Sequence, residues 1–240
     1  MKLLPGFCAL LVLAFATTLH AESIGVNFVG KDAKAQTLEA TQKAGVAAVA
    51  QDHWNHLTVS EDDANGHDNS GTLAKVNDNA GKEVKGAGVT VAATADTQAW
   101  PSNGASWGFT ETNLILQSGM IWSSPTIAVK GIPYKNYAVY VYVAAGDNGG
   151  QGGAKISVAN KVAGKVDPTD TYFVNFNWQG GNFVKSEAKT LAEAKASKGS
   201  NYICFTGNTA SDITVDFNGT LGGGWLGVAA IQIVQIPEAR

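Results

Sequence analysis

The chain has 240 residues, 17 of them Lys or Arg and 20 Asp or Glu, for a formal net charge of -3, and its single arginine is the last residue, Arg240. A fold with no arginine inside it lacks the rigid fork of donors that base readers and phosphate clamps rely on, which argues nucleic acid out of the expected partners. With 45% of its residues apolar, the chain can bury one large core or at most two small ones.

Residues 1–21, "MKLLPGFCALLVLAFATTLHA", open on one lysine, pass through an apolar run from Leu10 to Ala16 and close on the small Ala21 ahead of Glu22. That is the order of an export signal, and its apolar run is too short to cross a bilayer. The reading places the mature protein at 22–240, as one domain, secreted or periplasmic. Cys8 falls inside the signal, so Cys204 stands alone afterwards, with no intrachain disulfide to make. In "NYICFTG" it reads as a small buried hydrophobe. No later stretch reaches the roughly 18 apolar residues of a membrane helix, so no membrane span is expected.

From there the chain is punctuated in short β-type runs: "IGVNFVG", "VTVAATA", "NLILQSGMIW", "PTIAVKGIP", "YAVYVYVAA", "TYFVNFNW", "NYICFTG", "DITVDFNG" and "VAAIQIVQI". They are rich in β-branched and aromatic residues and end in Gly, Asn, Asp, Ser or Pro, the pattern of an antiparallel sandwich or barrel. In 212–217, Ile213, Val215 and Phe217 face one way and Asp212, Thr214 and Asp216 the other. In 137–143 both faces are apolar, with Tyr137, Val139, Val141 and Val143 on one and Ala138, Tyr140 and Tyr142 on the other. Such a strand belongs in the interior of its sheet, its tyrosine face either covered by a loop or open to a ligand. "GDNGGQGG", 146–153, reads as a hairpin loop. A surface helix is expected in 186–199, with Ser186 as N-cap and Gly199 as stop, and a weaker one in 33–45.

Three groups of side chains could carry chemistry. His53 and His56 flank Trp54 in "QDHWNHL", but a turn running into a strand puts them on opposite faces, and the glutamate of a His-Glu-x-x-His zinc helix is missing. In "SEDDANGHDNSG", which also holds His67, the oxygens of Asp62, Asp63, Asn65 and Asp68 could serve calcium, although Gly66 is out of place for an EF-hand; a solvated turn is the alternative. Six tryptophans are many for one modest domain. Trp100, Trp107 and Trp178 sit in polar, loop-like settings and, with Tyr140 and Tyr142, are the candidate ligand-binding aromatics. A pyranose packs its C–H face on a π surface while amides and carboxylates take the hydroxyls. The alternative is that each tryptophan seals an end of the core. The acids crowd into one loop or lie on wet strand faces, and there is no G-x-S-x-G elbow, so no catalytic residues are assigned.

"SIGVNFVG" followed by "HWNHL", then "GIPYKNYAVYVYVAAGDNGG", "GSNYICFTGNTASDITVDFNG" and "GVAAIQIVQ" occur in an order that resembles an uncharacterised family of exported proteins of environmental bacteria. The resemblance implies a jelly-roll-like β-sandwich similar to galactose-binding and lectin-like modules, and it supplies no catalytic residues. Where the family's block would carry asparagines around the tryptophan, this chain has His53 and His56. Trp54 and Leu57 are therefore expected to anchor a strand end in the core, with the histidines at its solvent edge.

The sequence thus leads to an all-β chain, a single antiparallel sandwich with one or two short surface helices, acting as a non-catalytic module for an extracellular glycan, with calcium as the one cofactor the loop could take. A self-associating surface protein and a glycan hydrolase are the alternatives.

Overall fold

The computed structural model describes residues 21–29, 37–59, 70–92, 98–102, 104–146, 152–162, 165–166, 170–177, 180–222 and 224–238, with Gln98, Trp100, Pro101, Lys161, Val162, Lys165 and Val166 given by backbone alone. In chain order the elements are β1 Ser23–Val29, β2 Asn55–Thr58, β3 Gly71–Leu73, β4 Gly88–Ala92, β5 Gln98–Pro101, α1 Glu111–Leu116, β6 Gly119–Trp122, β7 Thr126–Lys130 and β8 Tyr137–Ala145. There follow β9 Gly152–Val162, β10 Lys165–Val166, β11 Asp170–Phe176, α2 Leu191–Ala196, β12 Tyr202–Asn208, β13 Asp212–Leu221 and β14 Leu226–Gln235.

The strands form two sheets. The first runs β12-β8-β14-β1-β2; β8 takes one edge of β14 for its whole length, and β1 and β6 share the other, with β5 beyond β6. The second runs β9-β13-β7-β4-β3, with β10 and β11 on the outer edge of β9. Pairing is antiparallel except between β1 and β2. Alternation sends Ile213, Val215 and Phe217 of β13 inward, against Phe28, Val139, Val141 and Ile231 of the first sheet, in one shared buried core. This is an all-β sandwich. Its open side is closed by 184–188, where the Ser186 N–H donates to Tyr202 O and the Phe173 N–H to Ala188 O, each at 2.9 Å, so the segment bridges edge strands β12 and β11.

The first sheet is buried on both faces. Its outer face carries a second apolar cluster of Leu38, Trp54, Leu116, Met120, Tyr142 and Ala230. The cover is α1 together with a strap, 37–54, laid across β8 and β14. Tyr142 Oη donates to Gln232 Oε1 at 2.7 Å and accepts the Val46 N–H at 3.2 Å. Gln232, 0% exposed, donates through Nε2 to Val49 O and to Gln51 Oε1, at 2.6 and 3.0 Å. The Trp54 indole N–H closes back on Gln51 O at 2.9 Å. The side-chain amide of Gln232, the Tyr142 hydroxyl and the Trp54 indole N–H thereby each find a partner under the strap, as burial demands.

Several expectations change. "NLILQSGMIW" is not one strand but α1, a turn at Gln117–Ser118 and β6, because a short apolar run has no period that separates strand from helix, and here it serves to bury Leu116 on the sheet's outer face. The 146–153 stretch is not a hairpin: β8 and β9 lie in different sheets, and the chain crosses between them. The helix in 186–199 is shorter than its composition allows. Its N-cap is Thr190, whose Oγ1 accepts the Glu193 N–H at 3.2 Å, while Ser186 turns its hydroxyl to Phe173 O. In 33–45, the described residues 37–45 are not helical. Residues 1–20 of the expected export signal and residues 30–36 lie outside the described residues.

Gln232→Leu removes the acceptor of one buried phenol and the donor to two strap oxygens, so a loss of about 2–4 kcal/mol is expected. Chemical denaturation would read that loss. Amide exchange should accelerate at Val46, Val49 and Gln51 more than in β13.

Candidate functional site

The residues singled out from the sequence are dispersed. Trp54 and Leu57 are buried, at 5% and 1% exposure, as expected of an anchored strand end. His53 lies partly exposed in the turn before β2 with φ of 50°, its Nδ1 3.3 Å from Asp52. His56 sits on β2, half-buried. Its Nε2–H donates to Leu38 O at 3.1 Å, which leaves Nδ1 to accept from Asn27 Nδ2 at 3.5 Å. Burial holds its pKa below 6.5 although the bond to Leu38 pulls the other way. It is a neutral tether between strap and sheet. Asp62, Asp63, Asn65, Asp68 and His67 lie outside the described residues.

Among the aromatic candidates, Tyr142 is 0% exposed, roofed by Trp54, Phe183 and Tyr202, so it cannot offer its ring to a ligand. Burial pushes its phenol well above the usual range, which keeps the proton that Gln232 receives. Tyr140 is half-buried and stacks on Tyr202 at 6.1 Å. Trp107 packs edge-on to Phe176 at 5.1 Å and donates its N–H to Ala145 O, so it caps the core rather than facing outward. Trp100 lies in β5 at the register position opposite Met120, two residues from the position opposite Trp122. Trp178 lies outside the described residues.

The aromatic surface that does stand in solvent is built from two tryptophans that loop context alone did not single out. Trp225, in the turn between β13 and β14, is 44% exposed, the one large apolar side chain so placed among the described residues. It stacks on Trp122 at the end of β6, with centroids 5.1 Å apart and planes 27° from parallel. Leaving that much indole wet forgoes about 2–3 kcal/mol of burial.

The backbone around the pair is drawn tight. A Cβ on Gly227 would stand 2.6 Å from Ile121 O, and one on Gly152 2.6 Å from Gly224 Cα, so glycines let β6 and β9 close on the turn that carries Trp225. The Gly146 N–H fixes the turn through Trp225 O at 3.1 Å. Ser123, next after Trp122, holds φ of 76°, a left-handed conformation that costs a non-glycine residue about 1 kcal/mol or more. Its carbonyl accepts the Gly219 N–H at 2.8 Å. The Trp122 indole N–H is shut from water and has no hydrogen-bond partner among the described residues. An open aromatic face, a strained residue and an unanswered donor thus coincide at one end of the first sheet.

A depression of 260 Å³ beside α2 is the contrasting surface. It is lined by Lys185, Glu187, Glu193 and Ser200 among others, carries no aromatic ring, and its Lys185–Glu187 pair is closed at 2.6 Å. Among the described residues no three His, Cys, Asp or Glu side chains are grouped to hold a metal, and no helix is long and apolar enough to cross a membrane.

No protein-family model matches the chain, and no curated protein matches it in sequence. Among solved structures it is similar to a non-crystalline cellulose specific carbohydrate-binding module, CBM28, with a TM-score of 0.30 and 12% identity over 89% of this chain and 98% of that one. It is also similar to an exo-beta-1,3-galactanase from Phanerochaete chrysosporium, with a TM-score of 0.29 and 9% identity over 60% of this chain and 32% of that one. At such scores neither likeness bears on function.

Because the folded His56 binds its proton less readily than the unfolded chain, its contribution to stability is whole above pH 6.5 and declines as pH falls below that value. The stability gap between the wild-type protein and His56→Leu should therefore narrow on acidification through this window. Denaturation midpoints at pH 7.5 and at about pH 5 would show the narrowing.

Proposed function

We propose that the protein is an exported, non-catalytic binding module that holds a glycan against the stacked pair Trp225 and Trp122. The observation that carries the reading is the exposed indole of Trp225, kept in water at an energetic cost by a turn that several backbone contacts hold still. A pyranose is the ligand that matches such a surface. Its axial C–H bonds lie against the π face while its hydroxyls stay turned to water. Pre-organisation favours binding, because a turn that is already ordered loses little further freedom when the ligand arrives.

The reading assigns no acid, base or nucleophile to the pair, and a module of this kind acts by adhesion. Calcium at the acidic 60–71 loop is a separate proposal, on which the reading of the pair does not depend. A chelator would test it by removing the metal while sparing the aromatic contact.

Trp225→Ala should abolish retardation of the protein in gels containing the bound polysaccharide, and Trp122→Ala should weaken it about tenfold or more, while both variants keep the thermal midpoint within a few degrees of wild type. Trp107→Ala should behave in the opposite way, losing stability through the cavity beside Phe176. Equal binding by Trp225→Ala and wild type would end the reading.

A further inference from the structure

We infer that the glycan held at Trp122 and Trp225 is uncharged and that acidic polysaccharides are rejected there; this rests on the reading of the pair as a glycan platform. The inference comes from the distribution of charge around the pair. The strands and turns that build this end of the first sheet are 98–102, 104–110, 117–125, 136–146, 217–222 and 224–235, and none of their residues is Asp, Glu, Lys, Arg or His.

Among the described residues, the ammonium of Lys195 of α2 comes near the turn. Its Nζ lies 3.8 Å from where a Cβ would stand on Gly222. α2 packs on β9 and β11 of the second sheet, so Lys195 approaches from that side, whereas Trp225 lies on Trp122 at the first sheet.

A uronate or sulfate chain would bring one negative charge per sugar or more to this surface. Holding it requires basic side chains, of which guanidinium is the best suited, and the described residues include no arginine. An indole face carries the negative lobe of its quadrupole, so it attracts C–H dipoles and repels anions. A carboxylate set down there would lose hydration with no compensating partner. A neutral pyranose meets none of these penalties. Its binding should depend on contact area and hydrogen bonding, which salt screens weakly.

The test is affinity gel electrophoresis of the full chain against neutral polysaccharides (β-glucan, xylan, galactomannan) and acidic ones (alginate, polygalacturonate, heparin). Each is run at low salt and at salt high enough to shorten the Debye length to about 3 Å. Wild type, Trp225→Ala and Lys195→Glu are compared. The inference expects retardation by at least one neutral polymer, unchanged by salt, lost in Trp225→Ala and kept in Lys195→Glu, with none by the acidic polymers. Retardation by an acidic polymer that vanishes in high salt and in Trp225→Ala would overturn the inference and leave the platform standing. Retardation that Trp225→Ala does not affect, or none at all, would overturn the platform and the inference with it.

Discussion

The constraint on which the architecture depends is the apolar character of both faces of β8 and β14. A sandwich needs one buried face per sheet; here Tyr142, Ala144, Ala229 and Ala230 are as dry on the outer face as Val139, Val141 and Ile231 are on the inner. The second face demands a cover, and the cover must come from non-strand chain whose backbone polar groups would otherwise be stranded. Gln232 and Tyr142 meet that demand. Braced by the bond between them, they place one acceptor and two donor hydrogens on the sheet surface, matched to Val46, Val49 and Gln51 of the strap. The amide of Gln232 is therefore what converts a greasy strand face into a specific docking surface, since apolar contact alone has no register.

The cover also decides where recognition can occur. Strap and α1 occupy the middle of the outer face, so an aromatic row along β8, open to a ligand, is not what the tyrosines of "YAVYVYV" become. Surface aromatics survive only where the cover stops. At one limit Tyr140 stacks on Tyr202 beside Cys204, and at the other Trp225 stacks on Trp122. Of the two, the tryptophan end combines solvent exposure with a donor that lacks a partner among the described residues and a strained neighbour, and those three features together set it apart from a chance exposed hydrophobe.

How much of this was legible in the sequence follows from what period and composition encode. The strands of 137–145, 212–217 and 228–236 were readable because alternation or a continuous β-branched run has few other physical solutions. So was the fate of Trp54, since an indole beside Leu57 at a strand start has a core to enter. The α1 helix was not readable, because three consecutive apolar residues at 114–116 fit helix and strand equally. The start of α2 was readable and overlooked: Thr190 followed by Glu193 is the T-x-x-E spacing of a helix start, a stronger signal than Ser186 with no acid at its third following position.

The tryptophans show the deeper limit. Trp107 lies in the polar-looking "GASWGF" yet donates to Ala145 and packs on Phe176, whereas Trp122 and Trp225 lie in apolar-looking strings, "GMIWSS" and "GGWLGV", yet form the exposed pair. Local polarity describes a residue's neighbours in the chain, but exposure depends on which other strand ends arrive beside it. At Trp225 those neighbours are β6, β8 and β9, brought in by pairings of long sequence separation and admitted by glycines at 152, 224 and 227. The triple glycine before Trp225 was the available clue. A tryptophan placed after a run that permits close backbone approach is held at a junction of strands, and a ring at such a junction has one face against the fold and the other turned to water.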